Sequence, residues 1–274
     1  MTGRPGSIER LELAGGPVEV QRIPGVGPPL VLLHEGLGSL GLWRGFPAAL
    51  AERTGREVVV WSRHGYGRSA VVRGPRRVGY MHDEALSVLP EFLDALGVER
   101  PVLVGHSDGA SIALIYAGGS AVGGLGVGGS GVGGSGPIAA VVAIAPHVVV
   151  EERTLAAIRE ARDAYRDTDL RERLARHHND PDATFRGWND IWLDPAFAAW
   201  NIEGYLPGIV CPVLVVQCED DPYGTLDQVE RIADEVSGPV SRCVLPAGGH
   251  APHLSHPDEV LDAIAGLVVS LPGG

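Results

Sequence analysis

The 274-residue sequence contains no lysine; all 22 of its basic residues are arginine. That absence excludes Schiff-base chemistry, pyridoxal-phosphate attachment and a P-loop lysine. It also fits the arginine-rich, Gly/Ala/Val-rich usage of a GC-rich genome. Cysteine is scarce: Cys211, Cys218 and Cys243 form no Cys-x-x-Cys pair and leave an odd count, which points to a reducing, cytoplasmic setting. No run of about 18 apolar residues occurs, and residues 1–6 have no apolar signal core, so neither a membrane span nor membrane association is expected. With a net charge of −12 the chain has no surplus of cations to neutralise phosphates, which argues against a nucleic-acid partner. The expected partner is a small-molecule substrate; nothing in the sequence fixes an oligomeric state.

What is present is a regular alternation of elements. Residues 8–13 and 18–23 alternate apolar and polar around Gly15-Gly16-Pro17, as a hairpin with one solvated face does. Continuous apolar runs at 30–34, 57–61, 102–105, 138–145 and 213–216 read as strands covered on both faces, with another strand at 240–245. Helices are expected near 43–53, 82–96, 108–117, 226–236 and 257–270. Within the second, Leu86, Leu89, Leu93 and Leu96 share a face, and Pro90 predicts a kink or a division into two pieces. The pattern implies an α/β fold with a mostly parallel sheet of seven or eight strands and helices on both faces. Its chemistry should gather beyond the C-terminal strand ends.

Two segments interrupt this alternation. Residues 118–136 are almost wholly Gly, Ser and Val, and read as a flexible surface insertion with too few side chains to repay ordering. Residues 147–206 carry helical patterns at 155–165 and 170–176, then a dense run of aromatics: Phe185, Trp188, Trp192, Phe197, Trp200 and Tyr205. This segment is expected to form a helical cap over an apolar pocket. The chain thus divides into a core of residues 1–146, the cap at 147–206 and a second core portion at 207–274.

The strand at 102–105 runs into Gly105-His106-Ser107-Asp108-Gly109 and then a helix-forming stretch. Flanking glycines let strand and helix backbones approach closely, and the serine is displayed at the helix N-terminus, where free N–H groups favour negative charge. A serine hydroxyl needs a base, and the base needs an orienting acid. Glu219, Asp220 and Asp221 lie just past one later strand, and His250 just past the next.

The His34-Glu35-Gly36 loop, Gly65-Tyr66-Gly67-Arg68-Ser69, the Gly105–Gly109 turn, and Gly249-His250 followed by a helix from Pro257 together resemble the α/β-hydrolase family, over nearly the whole chain. The likeness is strongest to its cap-bearing serine hydrolases, which include esterases, lactonases and carbon–carbon bond hydrolases. The resemblance implies an eight-stranded sheet with the cap inserted after strand 6. It implies Ser107 as nucleophile, His250 as base and, by spacing, Asp221 as acid, with Asp220 and Glu219 as neighbouring alternatives. The Gly36 and Asp108 amides are implied as the oxyanion hole, with no metal or organic cofactor required. Glu35 stands where most relatives carry glycine, and Ser62 where many carry aspartate. Glu35, Leu37, His106, His147, Trp188 and Trp192 are expected around the substrate pocket, with His34 and His106 structural. A serine at the turn argues against dehalogenase or epoxide hydrolase chemistry, which uses aspartate there. The expected activity is hydrolysis of a small or medium apolar carboxylic ester or lactone. The alternatives are carbon–carbon cleavage beside a ketone, and a catalytically silent small-molecule binder.

Three competing motifs carry less weight. Residues 65–70 match a dinucleotide fingerprint with Asp83 beyond, but Gly74-Pro75 would break its helix. His250, His253 and His256 are separated by prolines that disrupt a ligand-aligning face, and they read as surface or helix-entry histidines. His177 and His178 read as a solvated helix end.

Overall fold

A strand apolar on both faces is stable only between two helical layers, and the observed sheet is built that way. The computed structural model describes residues 6–122 and 138–271. In chain order it contains β1 (Ile8–Leu13), β2 (Gly16–Ile23), β3 (Leu30–Leu33), α1 (Phe46–Thr54), β4 (Val58–Trp61), α2 (Tyr80–Asp83), α3 (Leu89–Leu96), β5 (Val102–His106) and α4 (Asp108–Val122). There follow β6 (Ala140–Ile144), α5 (Glu152–Asp167), α6 (Leu170–Ala175), α7 (Pro181–Trp192), β7 (Val213–Cys218), α8 (Asp227–Glu235), β8 (Val240–Leu245), α9 (Pro252–Ser255) and α10 (Pro257–Ser270). The eight strands lie in the order β1-β2-β4-β3-β5-β6-β7-β8. β3 to β8 run parallel, while β2 pairs antiparallel with both β1 and β4.

Side chains alternate across the sheet into two cores. Val31, Leu33, Val59, Leu103, Val141 and Val215 face the layer containing α3, α4 and α8. Leu30, Leu32, Val58, Val104, Val142 and Val216 face α1 and α10. β3 has β4 on one side and β5 on the other, so the crossovers diverge between β3 and β5. Such a switch point leaves a crevice at the C-terminal strand ends, and both Gly36 and Ser107 lie just past those ends.

Five helical segments stand between β6 and β7: α5, α6, α7 and 3-10 turns at Pro195–Ala199 and Glu203–Gly208. A bridge between Val149 and Asn201 closes the base of this insertion. His178 fastens its middle to the core. The His178 Nδ1 accepts the Gly67 N–H at 2.9 Å, and Nε2 donates to the Leu37 carbonyl at 3.0 Å. The expectation of a solvated helix end therefore fails for His178, which is buried against two core loops.

Other local readings also change. Residues 40–43 form a 3-10 turn separate from α1. The helix runs on from α2 through a π-turn at Glu84–Val88 into α3, with the Leu89 N–H bonded to the Glu84 carbonyl, so Pro90, which has no N–H to give, sits just past the widened turn rather than at a break. The wider turn shifts the helical phase, so Leu86 points outward while Glu84 and Ala85 are buried. Gly118 to Val122 continue α4, and a Cβ at Gly118 would overlap the Tyr205 carbonyl. The rest of the glycine-rich stretch assigned to a flexible insertion lies outside the described residues. Among the described residues, no helix is long and apolar enough to cross a membrane.

Burial pushes the His178 imidazole from 6.5 down to about 4. The unfolded chain therefore binds a proton that the fold excludes, and stability is lost as pH falls from about 6.5 towards 4. Urea unfolding across that window should show a shallower pH dependence in His178→Gln than in the parent. An identical slope would mean that His178 protonates freely in the fold.

Candidate active site

The turn after β5 is a problem in backbone sterics. A Cβ at Gly105 would overlap the Gly109 carbonyl, and a Cβ at Gly109 would overlap that of Leu33. Only glycine at both positions lets α4 start directly over the β3–β5 seam. Ser107 adopts φ +53°, a conformation unfavourable for a side-chain-bearing residue. It is held there by its N–H donating to the Ile144 carbonyl at 2.9 Å, while its own carbonyl accepts from Ala110 at 2.8 Å. Asp108 is the first residue of α4, so its N–H is among those without an intrahelical acceptor.

Three side chains converge at this turn. His250 Nε2 lies 2.9 Å from Ser107 Oγ, and His250 Nδ1 lies 2.8 Å from Asp221 Oδ2. Asp221 is fully buried and also accepts from Gln217 Nε2 at 2.9 Å and the Tyr223 N–H at 2.8 Å. Burial alone would raise its carboxyl pKa, but the hydrogen bond and charge of His250 bring it below the usual range. The neighbouring Asp220 turns the other way: it accepts the Gly249 N–H at 2.8 Å and the Gly248 N–H at 3.2 Å, bracing the turn that presents His250.

The loop after β3 is held from behind. His34 Nδ1 donates to the Glu35 carbonyl at 2.7 Å, and Nε2 accepts the Arg63 N–H at 3.1 Å. The fully buried Arg63 guanidinium reaches the His34 and Glu35 carbonyls, each at 3.2 Å. Arg63 thus turns those carbonyls away from the crevice, a role with no sequence signal beyond its place after β4. Trp188 packs onto Gly36 so closely that any Cβ there would strike the indole.

These groups wall a cavity of about 100 Å³. Ser107, His250, Gly36, Asp108 and Glu35 form one side. Leu37, Ile158, Trp188, Trp192 and Tyr223 supply apolar surface, and His147 and Thr154 complete the lining. His147 is buried, with its ring 5.2 Å from Trp192 and 5.8 Å from His250. Burial pushes it down to about 3, so it is neutral. Sequence reasoning missed Thr154, Ile158 and Tyr223, whose apolar or hydroxyl side chains give no motif. It also placed His106 on the pocket, whereas that ring lies behind His250 and beside Trp43 and His253. His253, read as a surface or helix-entry residue, is buried there too.

A family model described as "Alpha/beta hydrolase family" matches residues 30–263. A proline iminopeptidase of Lactobacillus delbrueckii subsp. lactis is 32% identical over 88 residues, covering 32% of this chain and 30% of that protein. The match therefore spans under a third of the relative's length. Among solved structures, a proline iminopeptidase from Mycobacterium smegmatis superposes with a TM-score of 0.74 at 18% identity, covering 96% of this chain and 98% of the other. An enol-lactonase from Burkholderia xenovorans LB400 gives 0.69 at 20% identity, with 96% and 100% covered. At these identities the structural likeness shows a shared fold.

The contact at Gly109 is directly testable. Gly109→Ala should lower the urea midpoint by an amount equivalent to about 1–3 kcal/mol, with the slope of the transition unchanged. An unaltered midpoint would show that α4 and β3 are farther apart than described.

Proposed function

The chain belongs to the alpha/beta hydrolase family, and on that footing we propose that it is a serine hydrolase acting on a small or medium apolar carboxylic ester or lactone. The observation that carries this reading is the unbroken line from Asp221 through His250 to Ser107, with hydrogen-bond distances of 2.8 and 2.9 Å. A serine becomes nucleophilic when an oriented imidazole removes its proton as the new bond forms. In this reading Ser107 Oγ attacks the substrate carbonyl, and its proton passes to His250 Nε2. The Asp221 carboxylate fixes the imidazole orientation and stabilises the imidazolium. The negative oxygen of the tetrahedral intermediate is received by the Gly36 and Asp108 N–H groups. Collapse expels the leaving alcohol with the proton from His250, and water repeats the sequence to release the acid.

The cavity supports the substrate class. Its walls are mainly aromatic and aliphatic and no arginine lines it, which suits an apolar acyl group. The helical insertion supplies Trp188 and Trp192 to this wall, and in this reading it acts as the cap that selects the acyl group.

A fluorophosphonate probe should label the parent and fail to label Ser107→Ala, whose kcat should fall at least about 10,000-fold. An unlabelled parent would favour a silent binder. Equal labelling of both would remove Ser107 as nucleophile. Asp221→Asn should lower kcat about 10,000-fold, and Asp220→Asn less than about tenfold, the scale of one lost hydrogen bond; the reverse ranking would exchange their roles. Rates on esters of graded chain length, lactones and vinylogous diketones would separate ester hydrolysis from carbon–carbon cleavage.

A further inference from the structure

We propose that His106 is held as an imidazolium that joins the Glu35-Gly36 loop to the turn bearing His250, and that it is thereby a positioning residue for the base. The kinetic part rests on the serine-hydrolase reading; the protonation state stands independently of it.

The argument begins with acceptors. His106 is 4% exposed. Its Nδ1 lies 3.3 Å from Glu35 Oε2, and its Nε2 lies 2.7 Å from the His250 carbonyl oxygen. A carboxylate and a backbone carbonyl can only accept. A neutral imidazole has one N–H and one lone pair, so either tautomer would aim its lone pair at a buried oxygen. Only the doubly protonated ring satisfies both.

The surrounding charges agree. Glu35 is the anion in contact. Burial alone would raise its carboxyl pKa, but the hydrogen bond and charge of His106 hold it well below the usual carboxylate range. Burial likewise opposes charge on His106, yet the bond to Glu35 leaves its pKa raised, helped by Asp221 through space. The other titratable neighbours do not add competing charge. His253, with its ring 4.7 Å away, is kept neutral by burial, and so is His147. Trp43 covers another side, 6.3 Å between ring centres, and Arg44 acts only at longer range through His253. The His250 ring itself lies 5.2 Å away and faces Ser107 and Asp221.

The turn that presents His250 needs such a tie. Gly248 and Gly249 precede it at φ +132° and +69°, conformations that little besides glycine adopts freely. Asp220 grips their amides from one side. His106 grips the His250 carbonyl from the other, and through Glu35 fixes that carbonyl relative to the loop holding Gly36. Loss of one proton from His106 puts a lone pair against one of the two oxygens and releases one of the two loops. The base and the proposed oxyanion donors then lose their common anchor.

The test is 15N NMR of the Ser107→Ala protein, with His106→Gln used to identify the His106 signal. At neutral pH the His106 ring nitrogens should be near-equivalent, as in an imidazolium, and should titrate above 6.5, the ordinary histidine value. Glu35→Gln should move that midpoint downward, which keeps the test intact if His106→Gln does not fold. In the active enzyme kcat should decline on the alkaline side at the same midpoint. His106→Gln should lower kcat about 10- to 100-fold, the scale of a slightly misplaced group, with KM little changed and that alkaline decline gone. A neutral His106 ring at pH 7, or a kcat profile flat through the NMR midpoint, overturns the inference. Neither result bears on whether Ser107 is the nucleophile, which the fluorophosphonate comparison decides separately.

Discussion

The whole arrangement depends on one close approach of backbones, where α4 leaves β5 against the end of β3. Gly105, Gly109 and the Leu33 carbonyl occupy space in which no Cβ fits. That contact sets where Ser107 stands, and with it the strained φ that keeps its hydroxyl off the helix. A residue in this conformation costs about 1–3 kcal/mol, and the Ile144 carbonyl and the first amides of α4 hold it in place. Because the contact lies at the switch point between β3 and β5, the same geometry opens the crevice that the serine faces.

Around that turn, polar groups are fixed mainly through the backbone. Arg63 and His34 orient the carbonyls of one loop, Asp220 the amides of another, and Asp221 combines side-chain and main-chain partners. Four buried histidines, His34, His147, His178 and His253, are pressed towards the neutral form by burial. None of them carries charge into the core, and His34 and His178 also tie loops together by hydrogen bonds. His106 differs because a carboxylate stands against it.

The succession of strands and helices and the Ser107, His250 and acid positions were legible because these reside in local chemistry: apolar runs, paired glycines and residues just past strand ends. The sequence favoured Asp221 by family spacing but kept Asp220 and Glu219 as alternatives, since adjacent acids on a turn point in different directions and share composition. Leu86 was misplaced because a π-turn adds a residue to one turn, and regular periodicity cannot register that. His178 and His253 were misread for a common reason. Whether a histidine is solvated depends on what a distant segment lays over it, and short-range pattern carries no record of that. The aromatic wealth of residues 185–205 was legible as pocket wall, and Trp188 and Trp192, the two rings expected at the pocket, line the cavity, while Phe197 and Trp200 stack on each other.

The partners Ser107 and His250 are separated by 143 positions along the chain. Closing so long a loop is entropically costly before any contact rewards it, and parallel pairings of this kind form slowly. β7 must dock on β6, and β8 on β7, before the imidazole can reach the serine. A sheet complete only through β6 would hold the serine turn without Asp221 or His250. On the proposed mechanism, reactivity would therefore arrive only with completion of the sheet.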